Sequence, residues 1–364
     1  MSMEYLRGGE ENQWVKDKTA LIIESDEVLL LWDGSNAGEF LKSRKGVISS
    51  TVAHILFKGI DQKYAWYHSK VLEIELRKNT IGMGIPHVNG RVLNNLIVSL
   101  PPLQEQTAIA EFLDDKTTKI DAAIGIKEKQ IELLKERKQI LIHKAVTRGL
   151  DDGVALKDSG VEWIGEIPEG WEVAKAKYYS TIFVPERAKP DLNTQRGGYP
   201  WVTTEHLRSP ELFENTVNYY VNEKSKNKTG SRIIKSGSVL ATCVGNFGIA
   251  SQLNFDCIIN QQIQGFTDLR IDAKYLTYLV RLSEDYFKNN STLTTIMYVN
   301  KDTFGNMPIS LPSLSEQKEI SSYIETASQK IETAIELKQQ EIEKLKEYKS
   351  SLINGVVTGK VKVC

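Results

Sequence analysis

The chain has 364 residues, 26% of them charged and 41% apolar, which is ordinary globular composition and length enough for two or three domains. Its formal net charge of −1 excludes a uniformly basic nucleic-acid-binding coat, while a local basic groove stays compatible with it. No stretch approaches the roughly 18 consecutive apolar residues of a membrane helix, no signal peptide opens the chain, and Cys243, Cys257 and Cys364 have no metal-ligand spacing. We therefore expect a cytoplasmic protein with reduced thiols.

The first part of the chain alternates short apolar runs with turn residues. Runs with β-branched side chains at 21–33 and 46–57 predict strands, and residues 62–78 favour a short helix. Pro101 and Pro102 stop any helix that enters from upstream. The stretch after them, rich in Glu, Lys and Gln, therefore predicts a new and long helix.

The second part of the chain repeats this order. Strands are predicted at 232–251 and 257–269, and a short helix at 272–289. Ser313 forms a capping-box pair with Glu316 and marks the start of a second long helix. The whole order predicts an α+β protein in which two mixed α/β domains are each followed by a long helix.

A repeated phrase relates the two parts. SLPPLQEQ at residues 99–106 returns as SLPSLSEQ at 310–317, and the difference between 310 and 99 is a shift of 211 residues. At that shift about 20 of the 49 positions in Leu100–Arg148 are identical with Leu311–Gly359, without a gap, which indicates a duplication. Isolated matches continue upstream: Val88 with Val299, Asn89 with Asn300, and Asn95 with Asn306. Further upstream we expect the register to shift and the similarity to fade.

The two long helices carry matching apolar seams. Apolar residues lie at heptad positions at Ile120, Ile124, Ile131, Leu134, Leu141 and Ala145, and again at Ile331, Ile335, Ile342, Leu345, Leu352 and Val356. Lys127 and Lys138, or Lys338 and Lys349 in the second copy, fill the missing positions and complete the alternating four- and three-residue steps. Roughly 40 helical residues would span about 60 Å. A helix with one apolar seam needs a partner, and we favour the other copy in the same chain; a homodimeric coiled coil is the alternative.

The two halves differ at their beginnings. The second domain opens with DSGVEWIGEIPEGWEVAKAKYYS at residues 158–180, and no counterpart of this segment precedes Tyr5. We therefore expect the first domain to be shortened at its N-terminus. Whether such a domain still binds its own target is open from the sequence.

Signatures of catalysis are missing from the sequence. It holds no phosphate-binding P-loop and no Asp/Asn-Pro-Pro-Tyr/Phe motif, and residues 245–248 lack the spacing of a dinucleotide-binding loop. Pro190-Asp191 has no nearby Glu-x-Lys partner of the kind that metal nucleases use, because such triplets lie on the long helices at 136–138 and 347–349. The five histidines show no metal spacing. We expect the chain alone to catalyse no reaction.

Binding chemistry is better represented. Residues 224–235, KSKNKTGSRIIK, hold five basic residues and no acid, and residues 171–260 hold 11 basic against 8 acidic residues. Arg and Lys suit phosphates, whereas Asn, Gln, Arg and Glu suit base edges in the major groove of DNA. From charge alone, a DNA-binding face and a solvated loop face stay open as alternatives.

Three phrases together resemble the specificity subunit of type I restriction-modification systems, over nearly the whole chain. They are SLPPLQEQTAIAEFLDDKTTKID at 99–121 with its copy at 310–332, LLKERKQILIHKAVTRGLD at 133–151, and DSGVEWIGEIPEGWEV at 158–173. The last phrase typically opens the second target-recognition domain of such proteins.

The resemblance implies two target-recognition domains, each reading one half of a split, asymmetric DNA site. The first would cover residues 1–102, N-terminally shortened, and the second 158–313; helical regions would cover 103–157 and 314–364. These helices would pack as an antiparallel coiled coil with pseudo-twofold symmetry and fix the spacer between the half-sites. A decayed or regulatory coiled-coil scaffold that binds protein partners is the alternative.

The resemblance also implies the partners. They are double-stranded DNA, two methyltransferase subunits that use S-adenosylmethionine, and restriction/translocase subunits that use ATP and Mg, so that no cofactor, metal or catalytic residue belongs to this chain. Because the helical phrase is present twice, the methyltransferase is expected to dock twice, on Glu105, Gln106, Glu316 and Gln317.

Carried onto this chain, the resemblance places DNA recognition on loops of both domains. In the second domain these are 203–208, 246–248, 260–262 and 294–301, with the candidates Arg187, Arg196, Thr203, Thr204, Glu205, His206, Arg208, Asn246, Gln261, Gln262 and Lys301. In the first domain they are 7–12, 33–38, 49–51 and 82–91, with the candidates Arg7, Asn36, Ser50, Thr51 and Arg91. Two structural alternatives stay open: Asn260–Gln262 as caps of strand ends, and Trp32 as a core residue.

Overall fold

The computed structural model of the chain describes residues 1–11, 14–16, 19–292 and 296–363. They fold into two compact units, residues 1–131 with 336–364 and residues 132–335. Both boundaries fall inside long helices, so the division into domains ending at residues 102, 157 and 313 stays a prediction. In the described ranges no helix is both long and apolar enough to cross a membrane.

Short strands and helices make up the domain of the first unit. In chain order the elements are α1 Met3–Leu6, β1 Ile22–Ile23, β2 Val28–Leu31, β3 Phe40–Lys42, β4 Gly46–Val47, β5 Val52–Ile55, α2 Gln62–Lys78, α3 Gly90–Asn94 and the long helix α4 Leu103–Arg148. Strand β2 lies between β3 and β5, both antiparallel to it. It is buried on both faces: Val28 and Leu30 pack near Leu76 of α2, and Leu29 and Leu31 join a separate core cluster.

The second unit holds a larger domain. Its elements are β6 Leu156–Asp158, β7 Glu166–Pro168, β8 Glu172–Lys175, β9 Thr181–Phe183, β10 Tyr199–Val202, β11 Glu211–Leu212, β12 Tyr220–Val221, α5 Glu223–Thr229, β13 Val239–Thr242, β14 Ala250–Leu253, β15 Ile258–Ile259, β16 Ile263–Thr267, α6 Ala273–Leu282, α7 Glu284–Asn289, α8 Lys301–Asn306, β17 Pro308–Leu311 and the long helix α9 Leu314–Val357. The main sheet has the order β11-β14-β13-β16-β9, a second sheet has the order β12-β10-β15, and β17 pairs with β8. The predicted helix at 272–289 is two helices, because Ser283 ends one and begins the next. The α+β fold class is confirmed.

Helices α4 and α9 run antiparallel in both units. The ion pairs between them are Asp121–Lys349 and Lys127–Glu341 in the first unit and Lys138–Glu332 in the second. As the residue numbers increase along α4, those of their ion-pair partners on α9 decrease, which means that the helices run in opposite directions. The predicted pairing of the two copies within one chain is therefore confirmed.

Buried isoleucines of the two long helices recur every 11 positions. They are Ile109, Ile120, Ile131 and Ile142 on α4, and Ile320, Ile331, Ile342 and Ile353 on α9. Predicted heptad residues between them, such as Ile124 and Leu134, are half-buried. An 11-residue repeat corresponds to about 3.67 residues per turn, close to a straight helix, whereas strict heptads impose a left-handed supercoil. The heptad pattern predicted the right seam but not the 11-residue period of its buried isoleucines.

The duplication continues through the domains at the shift of 211 residues. Matching pairs are Val28–Ile55 with Val239–Phe266 in the sheets, and the backbone hydrogen bonds Val88–Trp32 with Val299–Cys243, both 2.9 Å long. On the other side of the central strand, β3 and β14 depart from this register by one residue. Val28 pairs with Lys42, whereas Val239 pairs with Gln252 and not with the residue 211 positions after Lys42, which is Leu253. The expected shift of register therefore occurs at the outer strand, by one residue, whereas the central pair of strands keeps the shift of 211. Burial requires only apolar side chains at these positions, so identities changed while the backbone pairing stayed.

Candidate nucleic-acid interface

The turn after the central strand has the same backbone in both units; we call residues 33–36 and 244–247 the central turn. Gly34 and Gly245 have φ angles of 103° and 77°, a region that residues with a Cβ rarely adopt. Their N–H groups make matching bonds of 2.9 Å to loop carbonyls, Gly34–Pro86 and Gly245–Met297. The predicted contact Asn246 is exposed on this turn, and Asn36 is half-buried.

A second turn lies beside the central turn; we call residues 49–51 and 260–262 the side turn. In each unit, the residue that follows the central strand donates its backbone N–H to a carbonyl of the side turn at 2.8 Å. The two bonds are Trp32 to Thr51 and Cys243 to Gln262. The predicted contacts on the side turn, Ser50, Thr51, Gln261 and Gln262, are all exposed.

Contacts at these turns bear on the two structural alternatives. Asn260 accepts the N–H of Gln262 at 3.2 Å, so it caps the strand end. The amide of Gln261 donates to the carbonyl of Arg187 and ties that loop to the side turn. Trp32 packs against the core of the first unit, as its core interpretation predicts.

A third loop of the second unit reaches the same edge. Strands β10 and β15 are parallel, so their C-terminal ends meet. Thr203 follows β10, and the N–H of Asn260, which follows β15, donates to Val202 at 3.0 Å. His206 Nδ1 accepts the N–H of Thr203 at 3.0 Å, which shapes a short turn that leaves Glu205 exposed and Thr204 half-buried. The loop from 203 to 206, the central turn and the side turn therefore converge.

Three exposed cations of the second unit lie in its loops or at a helix start: Arg187 in the loop bonded to the side turn, Lys301 at the start of α8, and Arg196 in the loop before β10. Arg187, Arg196 and Lys301 are exposed, and in the described part of the chain none of them makes an ion pair. Exposed guanidinium and ammonium groups without a carboxylate partner suit phosphate binding.

The basic segment at 224–235 is largely neutralised by acids outside it, one adjacent in sequence and three distant. Its ion pairs are Lys226–Glu223 at 2.6 Å, Lys228–Asp191 at 3.4 Å, Arg232–Glu186 at 2.8 Å and Lys235–Asp256 at 2.7 Å. The hydrogen bond from Lys235 lowers the pKa of the Asp256 carboxyl. Of the two alternatives that charge alone left open, these pairs favour a solvated loop face, because the fold brings Glu186, Asp191 and Asp256 to the segment.

Two predicted contacts lie apart from the converging turns or are neutralised. Arg208 lines a pocket of about 510 Å³ together with Lys138 of α4 and Glu332 of α9, away from the strand-end turns. In the first unit Arg7 pairs with Glu39 at 2.8 Å, and Arg91 is exposed on α3. The predicted loops 7–12 and 294–301 each include positions, Asn12 and Thr294, outside the described residues.

Two of the predicted docking residues are buried. Gln106 and Gln317 are each 4% exposed. Their side-chain amides make matching bonds. Oε1 of Gln106 accepts the N–H of Asp61 at 2.9 Å, and its Nε2 donates to the carbonyl of Pro101 at 2.8 Å. Oε1 of Gln317 accepts the N–H of Asp272 at 2.8 Å, and its Nε2 donates to the carbonyl of Pro312 at 3.0 Å. Their docking role stays a prediction that this burial argues against, because both ends of each amide are used to join a domain helix to a long helix. The neighbouring Glu105 is exposed, and Glu316 is half-buried.

A second repeated motif was missed in the sequence. Ile-Asp-x-Lys-Tyr-x-x-Tyr occurs at 60–67 and at 271–278, again 211 residues apart. Its members make the same contacts in both units. The aspartates Asp61 and Asp272 cap the N-termini of α2 and α6. The lysines form ion pairs with a long helix, Lys63–Asp114 at 2.7 Å and Lys274–Glu325 at 3.1 Å, and the first tyrosine hydroxyls donate to backbone carbonyls, Tyr64 to Ser99 at 2.8 Å and Tyr275 to Ser310 at 3.2 Å. Burial raises the pKa of Tyr278 to about 12. Continuing the same shift upstream would have found it.

No group of three or more His, Cys, Asp or Glu side chains that could hold a metal occurs among the described residues. Cys243 and Cys257 are buried free thiols, and burial raises the pKa of both. The side chains that converge at the turns are amides, hydroxyls and an imidazole. Such groups can donate and accept hydrogen bonds at the edges of bases.

Comparison with known proteins agrees with this chemistry. The family described as "Type I restriction modification DNA specificity domain" matches residues 2–136 and 168–347. The type I restriction enzyme MjaVIII specificity subunit of Methanocaldococcus jannaschii is 33% identical over 379 residues, covering 100% of this chain and 86% of the relative. The putative type I restriction enzyme MjaX specificity subunit of the same organism is 28% identical over 281 residues, 76% of this chain and 62% of the relative.

Solved structures show the same fold at low identity. A chain from a study of complex assembly and conformational transition of the type I R-M system has a TM-score of 0.74 at 14% identity, covering 94% of this chain and 84% of that chain. The HsdS subunit of Thermoanaerobacter tengcongensis has a TM-score of 0.54 at 16% identity, covering 93% and 82%.

Proposed function

The chain belongs to the DNA specificity family of type I restriction-modification systems, and we propose from that premise that its two domains read the two halves of one bipartite DNA site. In this proposal the long helices set the spacer between the half-sites and bind methyltransferase subunits. The methyltransferase supplies S-adenosylmethionine chemistry, and restriction subunits supply ATP- and Mg-dependent steps. This chain contributes recognition and no catalytic residue.

One observation carries the proposal: both domains present turns of the same backbone but different side chains. The second unit offers the amides Asn246, Gln261 and Gln262, and the first offers the hydroxyls Ser50 and Thr51. Asn and Gln suit adenine, while Ser and Thr hydroxyls bond to several bases. Turns with the same backbone but different side chains suit an asymmetric DNA site whose two halves differ in sequence.

Phosphate contacts would orient each domain on the duplex. Arg187 and Lys301 lie beside the predicted base contacts of the second unit, and Arg196 lies in the loop before β10; none of the three has a carboxylate partner in the described residues. Contacts of this kind position a protein on DNA and make binding depend on salt, whereas base contacts give specificity.

Partner docking is better assigned to exposed residues that match between the helices. A partner that binds twice must meet the same surface chemistry twice. Exposed matching pairs are Leu103 with Leu314, Lys119 with Lys330, and Glu136 with Glu347. We propose these pairs, with Glu105 and Glu316 at the helix starts, as the methyltransferase surface.

The test is the set of sites methylated by the complex of this chain with its methyltransferase. Gln262→Ala is expected to relax the base preference in one half-site, and Thr51→Ala in the other, because good base contacts contribute about 1–3 kcal/mol of discrimination. Gln340→Ala, an exposed amide on α9, is the matched control and should leave the motif unchanged. If both turn variants alter the same half-site, or neither alters any, the assignment of one domain to each half fails.

DNA binding and catalysis are tested separately. In gel shifts, binding should fall steeply with added salt; binding that ignores salt would favour the protein-binding scaffold. The purified chain alone should transfer no methyl group to DNA, and any turnover would contradict a purely recognising role.

A further inference from the structure

A histidine is hydrogen-bonded to an aspartate beside the central turn of the first unit. Nδ1 of His87 lies 2.5 Å from a carboxylate oxygen of Asp33, the first residue of that turn. Because a carboxylate oxygen accepts hydrogen bonds, Nδ1 carries the proton in this contact. The bond made by one ring nitrogen of a neutral histidine fixes the role of the other, so Nε2 is left as an acceptor. In the described part of the chain no group bonds to Nε2.

Backbone bonds place this pair at the edge where the predicted base contacts of the first unit lie. The N–H of Gly34 donates to the carbonyl of Pro86 at 2.9 Å, so the residue before His87 is bonded to the central turn. Trp32, directly before the turn, donates its N–H to Thr51 of the side turn at 2.8 Å. The side turn and the loop that carries His87 are therefore both bonded to the same short stretch, residues 32–34.

The imidazole of His87 is exposed but held on two sides. Its side chain is 46% exposed, and one ring nitrogen is bonded to Asp33. On another side a Cβ added to Gly82 would lie only 2.8 Å from Cδ2 of the ring, so the ring packs closely against backbone there. Two backbone bonds between Ile81 and His87, 2.9 and 2.7 Å long, close the loop that contains this glycine. The ring is thus accessible to a ligand and fixed in orientation.

The second unit has the same backbone at this place with other side chains. The matching backbone bridges are Asp33–His87 with Val244–Tyr298, and Ile81–His87 with Thr292–Tyr298, each shifted by 211 residues. The histidine and its carboxylate therefore stand where the second unit has a phenol and a valine. The two units differ here as they differ at the side turn, in side chains on a shared backbone.

We propose that His87 reads one base of the half-site bound by the first unit, and that Asp33 is the residue that positions its ring. With Nδ1–H held by the carboxylate, Nε2 accepts from the exocyclic amino group of adenine or cytosine, which these bases display in the major groove. A side chain that is ordered before binding loses less entropy when it binds. The inference rests on the proposed function, in which each domain reads one half of the DNA site, and it names the class of base that the first unit selects.

The test is the set of sites methylated by the complex of this chain with its methyltransferase, measured at each position of both half-sites. His87→Leu removes the acceptor and should reduce the preference for adenine or cytosine at one position of one half-site by about tenfold or more, as expected for one base contact. Asp33→Asn should admit guanine or thymine at that same position, because an amide can also donate to Nδ1 and leave Nε2 as a donor. The other positions should keep their preferences, which a general loss of structure would not allow.

The matched control is Tyr298→Leu at the corresponding position of the second unit, which should leave the position read by His87 unchanged. Circular dichroism checks that the His87→Leu chain folds normally, as expected for an exposed side chain. A motif that is identical in His87→Leu and the wild type would overturn the proposal. If the base preference lost in His87→Leu is for guanine or thymine, the ring donates instead, and its assignment as an acceptor is overturned.

Thr51→Ala in the same assay separates this inference from its premise. If Thr51→Ala relaxes one half-site and His87→Leu relaxes none, His87 reads no base, although reading by two domains stands. If neither these variants nor Gln262→Ala alters a half-site, the proposed function fails together with the role of His87.

Discussion

Tyr64 and Tyr275 occupy matching positions in the two halves, and both are fully buried. Among the described residues, the hydroxyl of Tyr64 donates to the carbonyl of Ser99 alone, at 2.8 Å. The hydroxyl of Tyr275 lies within hydrogen-bond distance of three groups: the carbonyls of Val146 and Ser310, and the Ser310 hydroxyl. The same tyrosine is thus part of a network in the second half and makes a single bond in the first.

The difference follows from what surrounds each joint. In the second half β8 pairs with β17, and the indole of Trp171 donates to Glu316 near the start of α9, so the polar groups of this junction must find partners inside the protein. In the first half no described strand pairs with residues 97–100, and water can satisfy groups near Ser99. The duplication therefore kept the contacts that fix each domain on a long helix, while the side chains of the central and side turns diverged.

Substituting the two tyrosines should show the largest effects. Tyr64→Ala and Tyr275→Ala should each destabilise their unit by about 3–5 kcal/mol, the usual cost of removing a buried aromatic ring. The phenylalanine variants separate the joints: Tyr275→Phe should cost about 1–3 kcal/mol because it leaves buried acceptors unpaired, and Tyr64→Phe less. Urea titration read by hydrogen exchange of peptides from each unit measures both.

Equal losses of unfolding free energy in Tyr64→Phe and Tyr275→Phe would contradict the difference between the hydrogen bonds of the two tyrosines. Phe304→Leu serves as a control for a buried aromatic ring of the second unit that makes no hydroxyl bond. It should destabilise the second unit without affecting exchange near residues 62–78.

The buried glutamines should show the next largest effect. Gln106→Leu and Gln317→Leu each leave the N–H of a helix N-cap, Asp61 or Asp272, without its acceptor, which costs about 1–3 kcal/mol when buried. Glu105→Gln, one residue away and exposed, is the control and should leave stability unchanged. Variants at both glutamines that unfold like the wild type but lose methyltransferase binding would restore the docking role that burial argues against.

Periodicity and turn residues predicted most of the elements. Residues 62–78 were predicted as a helix and form α2, since Asp61 caps it and apolar residues face the core. The seam of the long helices was found because only one face of each is apolar. These features depend on local composition, which one sequence displays directly.

Features that depend on distant residues were not predicted. The acids that pair with the segment 224–235 come from Glu186, Asp191 and Asp256, which only the fold brings near. The burial of Gln106 was missed because a polar residue in a repeated phrase suggests a surface. The repeat of the domain sheets was missed because Trp32 and Cys243 are chemically unlike although their backbones match. Sequence identity compares side chains, whereas the buried sheets constrain the position of the backbone, so the backbone can match where the residues differ.

Paired and unpaired cations of the second unit should differ in how they affect DNA binding. Arg196→Ala should lower the slope of log K against log salt by about 0.9, as expected when one phosphate contact is lost. Arg232→Ala should change the slope less, because its guanidinium already pairs with Glu186 and bonds to Val184. Gel shifts over a range of salt concentrations measure both. A larger change for Arg232 would mean that DNA displaces Glu186 and that the segment 224–235 binds phosphates after all.

The smallest expected effect concerns His68, which stands where the second half has Leu279. Burial lowers the pKa of His68; its Nε2 accepts the N–H of Ser99, and its buried Nδ1 has no partner among the described residues. Between the folded pKa and the ordinary value near 6.5 the unfolded chain binds a proton that the folded chain does not, so stability is complete above about pH 6.5 and falls as pH is lowered. Hydrogen exchange of peptides from 62–78 should therefore quicken between pH 7.5 and 5.5, after correction for intrinsic exchange rates. His68→Leu, which copies the second half, should lower stability at pH 7.5 but flatten this dependence; equal slopes in both proteins would show that another group causes it.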